Sequence, residues 1–357
     1  MLERAKRLMG ILAEKGVEAA LITKPDNMRY FTGYTGEGCL LVLKNRLVIC
    51  TDFRYVEQVS IQAPGCECVQ TRVNNVTPQS AARDIFAAEG IAKVAFEPYK
   101  MTVADFEAWK AEMPGVEFVS LENIPEKQLR IIKDAGEIDS ICKAGAIACK
   151  AFEQLLEWVR PGMTEMQVKA QLEYFMLSLG SEGIAFGTIA ASGPNGSLPH
   201  AVPGVRKIEE GDFLTLDFGA KVNGYCCDMT RTIGFGNVSD ELKAIYNAVL
   251  EAQLLALSLI KPGAVCRDID AAARDYLDER YPGAFGHGLG HGVGLVVHED
   301  PRLSRLDETV LVPGHIVTVE PGVYIPGLGG VRIEDMALLT EEGYINPITA
   351  PKQLILL

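Results

Sequence analysis

The sequence predicts an α/β domain followed by a larger α+β domain in which antiparallel strands predominate. A chain of 357 residues is long enough for about two domains. Helix and strand patterns alternate over residues 1–123, whereas over residues 124–357 helices and strands come in groups. Grouped elements favour an α+β arrangement, because neighbouring strands can then pair as hairpins.

The first domain should begin with an amphipathic helix in its first 16 residues. Further predicted elements are a strand at 18–23, a hairpin from 40–44 and 47–51, a helix at 78–88, a strand at 93–96, a helix at 103–112 and a strand at 116–119. Gly90 closes the helix at 78–88. Pro125 interrupts the segment Ser120–Lys127, which places the predicted domain boundary between 123 and 124.

Two capping boxes introduce the second domain. Asp134 with Glu137 predicts the start of a helix that runs to Trp158, and Thr164 with Gln167 predicts a helix that ends at Gly180. Two later helices are expected over residues 240–260 and 267–280, each followed by a proline within two residues. The remaining segments of this domain have the patterns of strands.

An Asn-Gly pair predicts a tight hairpin with two aspartates on one face. With Asn223 and Gly224 in the turn, Asp217 lies opposite Thr230 on the partner strand. Asp217 and Asp228 then become diagonal neighbours about 7–8 Å apart at the backbone. Aspartate is rare in strands, so two in apolar strand sequence indicate metal ligands; the alternative is that both are solvated.

A second predicted hairpin, residues 316–325 with 330–340, carries Glu320 and Glu334 in apolar sequence. Arg332 lies two residues before Glu334 and therefore on the same face of its strand. A buried ion pair between Arg332 and Glu334 is a structural alternative for that pair. It would leave Glu320 and both aspartates without an explanation.

The segment Phe285–Glu299 contains three of the five histidines of the chain, His287, His291 and His298. Glycine occupies every second position between 286 and 294, which opposes a helix. The segment therefore differs from the helical H-E-x-x-H zinc motif. A backbone with so few side chains allows close approach to a metal ion or a ligand.

The charges of these residues predict two divalent cations. Four buried carboxylates would repel one another unless they were neutralised. Two divalent cations supply that neutralisation, with one histidine as a further ligand. Mostly oxygen ligands with one nitrogen suit Mn²⁺ or Co²⁺, with Zn²⁺ possible.

The composition favours a cytoplasmic protein that binds neither nucleic acid nor membranes. The net charge is −13, which opposes binding to nucleic acid. No run of about 18 apolar residues is visible, so no membrane span is expected. The nine cysteines are scattered without a C-x-x-C pair, and the amphipathic N-terminus lacks the apolar core of a signal peptide.

Asp217, Asp228, His291, Glu320 and Glu334, in this order, give the sequence a specific resemblance. The runs L-D-F-G, C-D-M-T-R-T, G-H-G-V-G, V-E-P-G-V-Y and V-R-I-E-D resemble those of the pita-bread metallopeptidases, the group of prolidase, aminopeptidase P and methionine aminopeptidase. The resemblance covers the whole chain and implies a creatinase-type N-terminal domain before a catalytic domain with a curved antiparallel sheet. It implies that Asp217 binds one metal ion, that Asp228 and Glu334 bridge two, and that His291 and Glu320 bind the other.

The resemblance also assigns residues around the metal ions. It implies catalytic roles for His200, His298, Glu320 and Arg332 and substrate contacts for Phe186, His287 and Tyr324. His298 would stabilise the oxyanion, Glu320 would accept a proton, and Phe186 would pack against proline. The fifth histidine, His315, has no counterpart and is interpreted as structural.

The function implied is hydrolysis of the Xaa-Pro bond at the N-terminus of dipeptides or short peptides. The Xaa-Pro dipeptidases and the Xaa-Pro aminopeptidases, which accept longer peptides, both remain open. A non-catalytic binding protein of this fold is a third hypothesis, which the complete ligand set opposes. The resemblance further implies a homodimer, for which the segment Asp52–Tyr55 is a candidate contact; that composition is equally typical of a helix start after a strand.

Overall fold

The structure, a computed structural model, describes residues 2–357 and consists of two compact units. The first runs to Arg130 and the second spans Ile131–Leu357, so the division lies seven residues beyond the boundary expected from the sequence. A π-helical turn, Pro125–Arg130, belongs to the first unit. Within that unit the buried guanidinium of Arg130 donates to Asn27 Oδ1 over 2.8 Å, and Lys24 pairs with Glu126 at 3.0 Å.

The first unit is an α/β fold around one six-stranded sheet. Its helices are α1 (Leu2–Glu14), α2 (Pro25–Thr32), α3 (Val56–Gln62), α4 (Pro78–Glu89) and α5 (Val103–Glu112). Its strands are β1 (Ala19–Ile22), β2 (Cys39–Val42), β3 (Leu47–Asp52), β4 (Glu67–Thr71), β5 (Lys93–Phe96) and β6 (Glu117–Ser120). The strand order is β4-β3-β2-β1-β5-β6, and only the pairs β1–β2 and β2–β3 are antiparallel.

The predicted hairpin, helices and strands of the first unit are confirmed to within about two residues. Helices α2 and α3 and strand β4 were not predicted from the sequence. Strand β4 is mostly exposed at the edge of the sheet, so it lacks the alternation of apolar and polar residues that marks a half-buried strand.

Over the described residues, the second unit combines four α-helices and a short 3-10 helix (Gly193–Ser197) with antiparallel strands. Its helices are α6 (Ala135–Trp158), α7 (Glu165–Ser178), α8 (Asp240–Leu259) and α9 (Cys266–Asp278). Its strands are β7 (Ile189–Ser192), β8 (Phe213–Phe218), β9 (Lys221–Val222), β10 (Tyr225–Cys226), β11 (Met229–Gly234), β12 (Gly290–Gly292), β13 (Glu299–Leu303), β14 (Ile316–Val319), β15 (Gly322–Ile325), β16 (Gly329–Arg332), β17 (Asp335–Leu339) and β18 (Tyr344–Ile345). Both predicted capping boxes are present, with Asp134 and Thr164 as N-caps.

The core of this unit lies between helices α8 and α9 and the strands that carry the glutamates. Helix α8 is long and apolar enough to cross a membrane, but half of its most apolar window is buried within the unit. Its buried residues, such as Ile245 and Val249, belong to the same apolar cluster as Val317 and Val331. Helix α8 therefore contributes to the protein core, which accounts for its apolar composition.

The register predicted for the first hairpin is confirmed. Val222 pairs with Tyr225, and Asp217 pairs with Thr230. Asn223 and Gly224 have φ of 49° and 82°, the left-handed values that a two-residue type I′ turn requires. Asp217 and Asp228 consequently lie on the same side of the hairpin.

The second predicted hairpin forms as two ladders in one continuous register. Val319 pairs with Asp335 on one side of a break, and Gly322 pairs with Arg332 on the other. Glu320 and Glu334 occupy the facing positions between them. Pro321 has no N–H to donate, so the ladder opens where the two glutamates meet.

Candidate metal centre

The five predicted metal ligands line one cavity of about 670 Å³ in the second unit. Asp217 lies in β8, Asp228 directly precedes β11, and His291 lies in β12. Glu320 and Glu334 lie at the break between the two ladders of the second hairpin. The four carboxylates therefore lie where the registers of the two hairpins place them, and His291 joins them because β12 pairs with β14.

Three of these side chains are close enough to share one cation. Ligand atoms of Asp228, His291 and Glu334 all lie within 4.8 Å of one another, and all three residues are buried. His291 Nε2 lies 3.6 Å from Asp228 Oδ2 and 3.3 Å from Glu320 Oε1. The other ring nitrogen of His291 lies 3.0 Å from the Gly292 carbonyl. A carbonyl only accepts, so Nδ1 carries the hydrogen and the Nε2 lone pair faces the carboxylates.

Unsatisfied oxygens show that this cluster fits a metal ion. Six buried side-chain polar atoms lack a hydrogen-bond partner among the described residues, and three of them are Asp217 Oδ1, Asp228 Oδ1 and Glu334 Oε1. Buried polar atoms are nearly always paired in folded proteins. A divalent cation among these oxygens would satisfy them and neutralise their charge.

The electrostatics of the metal-free cluster give the same indication. Burial raises the pKa of Asp228 well above its ordinary value, and the neighbouring carboxylates of Glu334 and Asp217 raise it further. The pKa of Glu334 is raised well above its ordinary value for the same reasons, burial first and then Glu320 and Asp217. A bound cation would stabilise the ionised form of both carboxylates and so lower these two pKa values.

Arg332 pairs with Asp217, which corrects the structural alternative of an ion pair between Arg332 and Glu334. Its Nη2 donates to Asp217 Oδ2 over 2.6 Å, while Nη1 donates to the Tyr324 hydroxyl over 2.9 Å. The Tyr324 hydroxyl lies 2.9 Å from His287 Nε2, and His287 Nδ1 lies 2.8 Å from the Gly288 carbonyl. A hydrogen-bonded chain from Asp217 to His287 follows, in which Tyr324 donates to His287. Glu334 instead accepts from the Thr230 hydroxyl.

The residues that the resemblance assigns to substrate binding or the reaction lie at different depths relative to the cavity. His287 and half-buried Phe186 line the cavity, and His200 is exposed on its wall. Tyr324 does not contribute to the cavity wall; it lies behind His287 and Arg332 and holds both. His315 lies outside the wall and is buried, as its structural interpretation requires.

His298 lies beside His291, although a separation of seven residues would place the two side chains on opposite faces of a regular strand. The two ring centroids are 4.4 Å apart and the rings are nearly perpendicular, at 73°. The β12–β13 register shifts after His291, and the chain bends over residues 294–298. His298 stays open to the cavity, while partial burial and the nearby His291 lower its pKa to about 4. A neutral ring with one N–H is therefore available at neutral pH.

Two cationic residues of the cavity wall were missed in the sequence analysis, Lys169 and Arg302. Arg302 is the cross-strand partner of His291 in the β12–β13 ladder, and partners lie on the same face of a sheet. The available signal was the single Arg in the strand that follows His298. It could not be used without knowing which strand pairs with β12.

Comparisons with known proteins agree with this geometry. The model of metallopeptidase family M24 matches residues 139–341, and the creatinase/prolidase N-terminal domain model matches residues 4–132. The chain belongs to metallopeptidase family M24. The predicted pita-bread fold is confirmed with it, and the protein is a metallopeptidase that uses divalent metal ions.

Relatives of this metallopeptidase include both classes left open by the sequence. It is 38% identical to a Xaa-Pro dipeptidase of Pyrococcus furiosus over 96% of this chain and 97% of that protein. A solved Xaa-Pro dipeptidase from Bacillus anthracis is 44% identical with a TM-score of 0.95, over 100% of this chain and 99% of that chain. A solved X-Pro aminopeptidase from Thermotoga maritima is 34% identical with a TM-score of 0.90, over 96% and 98%.

Proposed function

We propose that the protein is a Xaa-Pro dipeptidase that cleaves the bond between the first residue and proline in dipeptides. The observation that carries this proposal is Arg302, which lines the same cavity as the metal ligands. In a Xaa-Pro dipeptide, the terminal carboxylate belongs to the proline itself. An enzyme for such dipeptides therefore needs a cation close to the proline, on the far side from the bond that it cleaves. Within the described chain, the guanidinium of Arg302 makes no hydrogen bond or ion pair that would occupy it. Similarity to Xaa-Pro dipeptidases supports the same substrate class.

The metal ligands proposed are Asp217, Asp228, His291, Glu320 and Glu334, which would hold two divalent ions, Mn²⁺ or Co²⁺ with Zn²⁺ possible. Bound metal ions of this kind supply a hydroxide nucleophile at neutral pH and polarise the substrate carbonyl. Burial raises the pKa of Glu320, but the neighbouring His291, His287 and Arg332 outweigh it and lower the pKa, which keeps the carboxylate ionised to accept a proton.

The neutral ring of His298 can donate a hydrogen bond to the oxygen that becomes negative in the transition state. His200, exposed on the cavity wall, orients the substrate carbonyl in this proposal. Arg332 fixes one oxygen of Asp217 by its 2.6 Å bond and leaves the other free as a ligand. These roles are the ones that the resemblance implies, and all three side chains line the cavity that contains the proposed ligands.

Selection of proline is assigned to the apolar part of the cavity. Phe186, Ile189 and Val202 line this wall, and the flat ring of Phe186 offers a surface for the pyrrolidine. A Xaa-Pro bond has no N–H and a fixed φ, so a site that does not require a strand-like substrate can accept it.

The Arg302 assignment predicts a specific kinetic change. Arg302→Met should raise the KM for a Xaa-Pro dipeptide about 10–100-fold, because a charged hydrogen bond of about 1.5–3 kcal/mol is lost. The kcat and metal content should stay near wild type. The KM for the corresponding dipeptide amide, which has no carboxylate, should change little.

Arg305→Met is the matched control, because Arg305 is an exposed arginine three residues further along that is absent from the cavity wall. Equal increases in KM for the dipeptide and its amide would contradict the role of Arg302. Rapid cleavage of Xaa-Pro-Yaa would favour the alternative, a Xaa-Pro aminopeptidase. That alternative is supported by the open mouth of the cavity, where Val202 is 86% exposed.

We also propose a cytoplasmic homodimer, with the segment Asp52–Tyr55 as a contact. Phe53 is 74% exposed, and Arg54 beside it is held by Asp52 through bonds of 2.9 and 2.7 Å. A preorganised Arg next to an exposed aromatic ring is typical of interfaces. All nine cysteines are free thiols, which suits a reducing compartment.

Sedimentation at micromolar concentration should give the mass of a dimer, and Phe53→Ser should shift the equilibrium towards monomer. Tyr99→Ser is the control, because Tyr99 is equally exposed in the same unit, at 78%. A monomeric wild-type protein would rule out the dimer, and an unshifted Phe53→Ser dimer would rule out this contact.

A further inference from the structure

A buried ion pair is formed by the residue that follows His298 in the chain. Glu299, the next residue, is buried, and its Oε2 lies 3.3 Å from Lys133 Nζ, with side-chain exposures of 4% and 1%. Glu299 Oε1 accepts a hydrogen bond from the Val296 backbone N–H over 3.1 Å. Both carboxylate oxygens are thus engaged, one by a residue 166 positions away and one by the bend that carries His298.

The carboxylate of Glu299 fills the inside of that bend. A Cβ added at Gly294 would lie only 2.5 Å from Glu299 Oε2, so glycine is required for the carboxylate to reach its place. Gly294 N donates to the Val296 carbonyl over 3.1 Å, and Cys226 N donates to the Gly294 carbonyl over 2.8 Å. Cys226 closely precedes Asp228, so the bend is tied on one side to the ligand-bearing hairpin and on the other to Lys133.

A buried ion pair is a poor way to gain stability, because desolvation offsets most of the attraction. Such a pair is well suited to hold a group in one place when both partners are fixed. The backbone N of Lys133 donates to the Gly314 carbonyl over 2.9 Å, and its side chain is buried with Nζ 3.5 Å from the Ile131 carbonyl. The anchor of the bend is therefore rigid at its far end.

We propose that Lys133 and Glu299 form a positioning pair that holds the 294–298 bend and aims His298 into the cavity beside His291. Neither residue lines the cavity wall, so the proposed effect of the pair on the reaction is indirect and runs through the placement of His298. The inference rests on the proposed function for what His298 does in turnover. The placement of the ring itself can be measured without substrate or metal ions.

The first test is the NMR spectrum of the metal-free protein labelled at histidine. The chain has five histidines, and His298→Ala identifies the signal of His298. Glu299→Ala should shift and broaden that signal while His200 and His287 keep theirs. Glu299→Gln keeps an acceptor for Val296 N–H and should fall between wild type and Glu299→Ala.

Tyr246→Phe is the matched control, because it removes the hydrogen bond of a buried tyrosine to the Lys352 carbonyl, which lies outside the bend. It should leave the His298 signal in place. If Glu299→Ala does not fold, Glu299→Gln and the double variant Lys133→Met/Glu299→Gln decide. An unchanged His298 signal in the folded variants would overturn the proposal.

The second test is a double-mutant comparison of turnover. Glu299→Ala should lower kcat about 10-fold or more, but by no more than His298→Ala does. The KM and the metal content should change less than about twofold. In the His298→Ala background, Glu299→Ala should cause no further loss of kcat. Losses that multiply would show that Glu299 acts independently of His298 and would overturn the proposal. A wild-type protein without Xaa-Pro activity would instead refute the proposed function and leave the NMR test decisive for the pair.

Discussion

Replacing Asp228 with Asn is expected to lower turnover by more than about 10²-fold, beyond the 10–100-fold that partners outside the ligand set cost. The amide keeps the size of the side chain but loses the charge and one anionic oxygen. Asp228 Oδ2 lies 3.6 Å from His291 Nε2, and the ligand atoms of Asp228 and Glu334 lie within 4.8 Å of each other. Its loss would remove one of the two ligands, with Glu334, that the proposed ions would share, and metal content should fall with activity.

The metal-free proteins should show the opposite order of stability. Burial and the charge of Glu334 raise the pKa of Asp228 in the folded state, so its ionisation at pH 7 opposes folding. Metal-free Asp228→Asn should consequently melt at a higher temperature than metal-free wild type at pH 7. With saturating metal, wild type should be the more stable. In the metal-free wild-type protein, the stability that protonated Asp228 contributes is present at low pH. It is lost as the pH rises through the raised pKa of the folded state.

Asp139→Asn serves as the control, because Asp139 is an exposed aspartate in α6 that pairs with Lys143. It should match wild type in turnover and metal content. An Asp228→Asn protein that kept most of its turnover would show that Asp228 is not a required ligand.

Replacing His298 with Ala is expected to lower kcat about 10²–10³-fold, the loss seen when one donor to an oxyanion is removed. The five proposed ligands remain, so metal content should stay unchanged. The ring is open to the cavity, so its removal should alter the melting temperature little. Metal analysis, melting temperature and turnover should be measured on the same preparation.

His315→Ala is the matched control for a histidine without a catalytic role. His315 is buried, and burial lowers its pKa to about 4, so its loss should lower the melting temperature and leave turnover in the folded fraction near normal. If His298 were structural, His298→Ala would show that pattern too. A stable, metal-loaded and fully active His298→Ala protein would contradict both roles.

Local sequence signals were sufficient for most of the architecture. Asn223-Gly224 fixed the turn, and one turn fixes every pairing of the hairpin, including Asp217 with Thr230. The capping boxes located the starts of α6 and α7 because side-chain caps are local contacts. The four carboxylates among the proposed ligands were recognisable as charged groups in apolar sequence.

Contacts between residues far apart in the sequence determine the pairings that local sequence patterns could not predict. Arg332 could have paired with Glu334 by strand parity, but the neighbouring hairpin brings Asp217 to its guanidinium. Arg302 became a candidate only once β13 was seen to pair with β12. The bend that carries His298 depends on Lys133, which is 166 positions from Glu299, and no local pattern joins the two.

Hydrolysis of Ala-Pro by the metal-loaded protein, measured beside Ala-Ala and Ala-Pro-Ala, tests the central claim most directly. The proposed dipeptidase should cleave Ala-Pro with a kcat/KM at least about tenfold above that for either other peptide, because Phe186 selects the pyrrolidine and Arg302 the adjacent carboxylate. Equal rates for Ala-Pro and Ala-Ala, or faster cleavage of Ala-Pro-Ala, would contradict it.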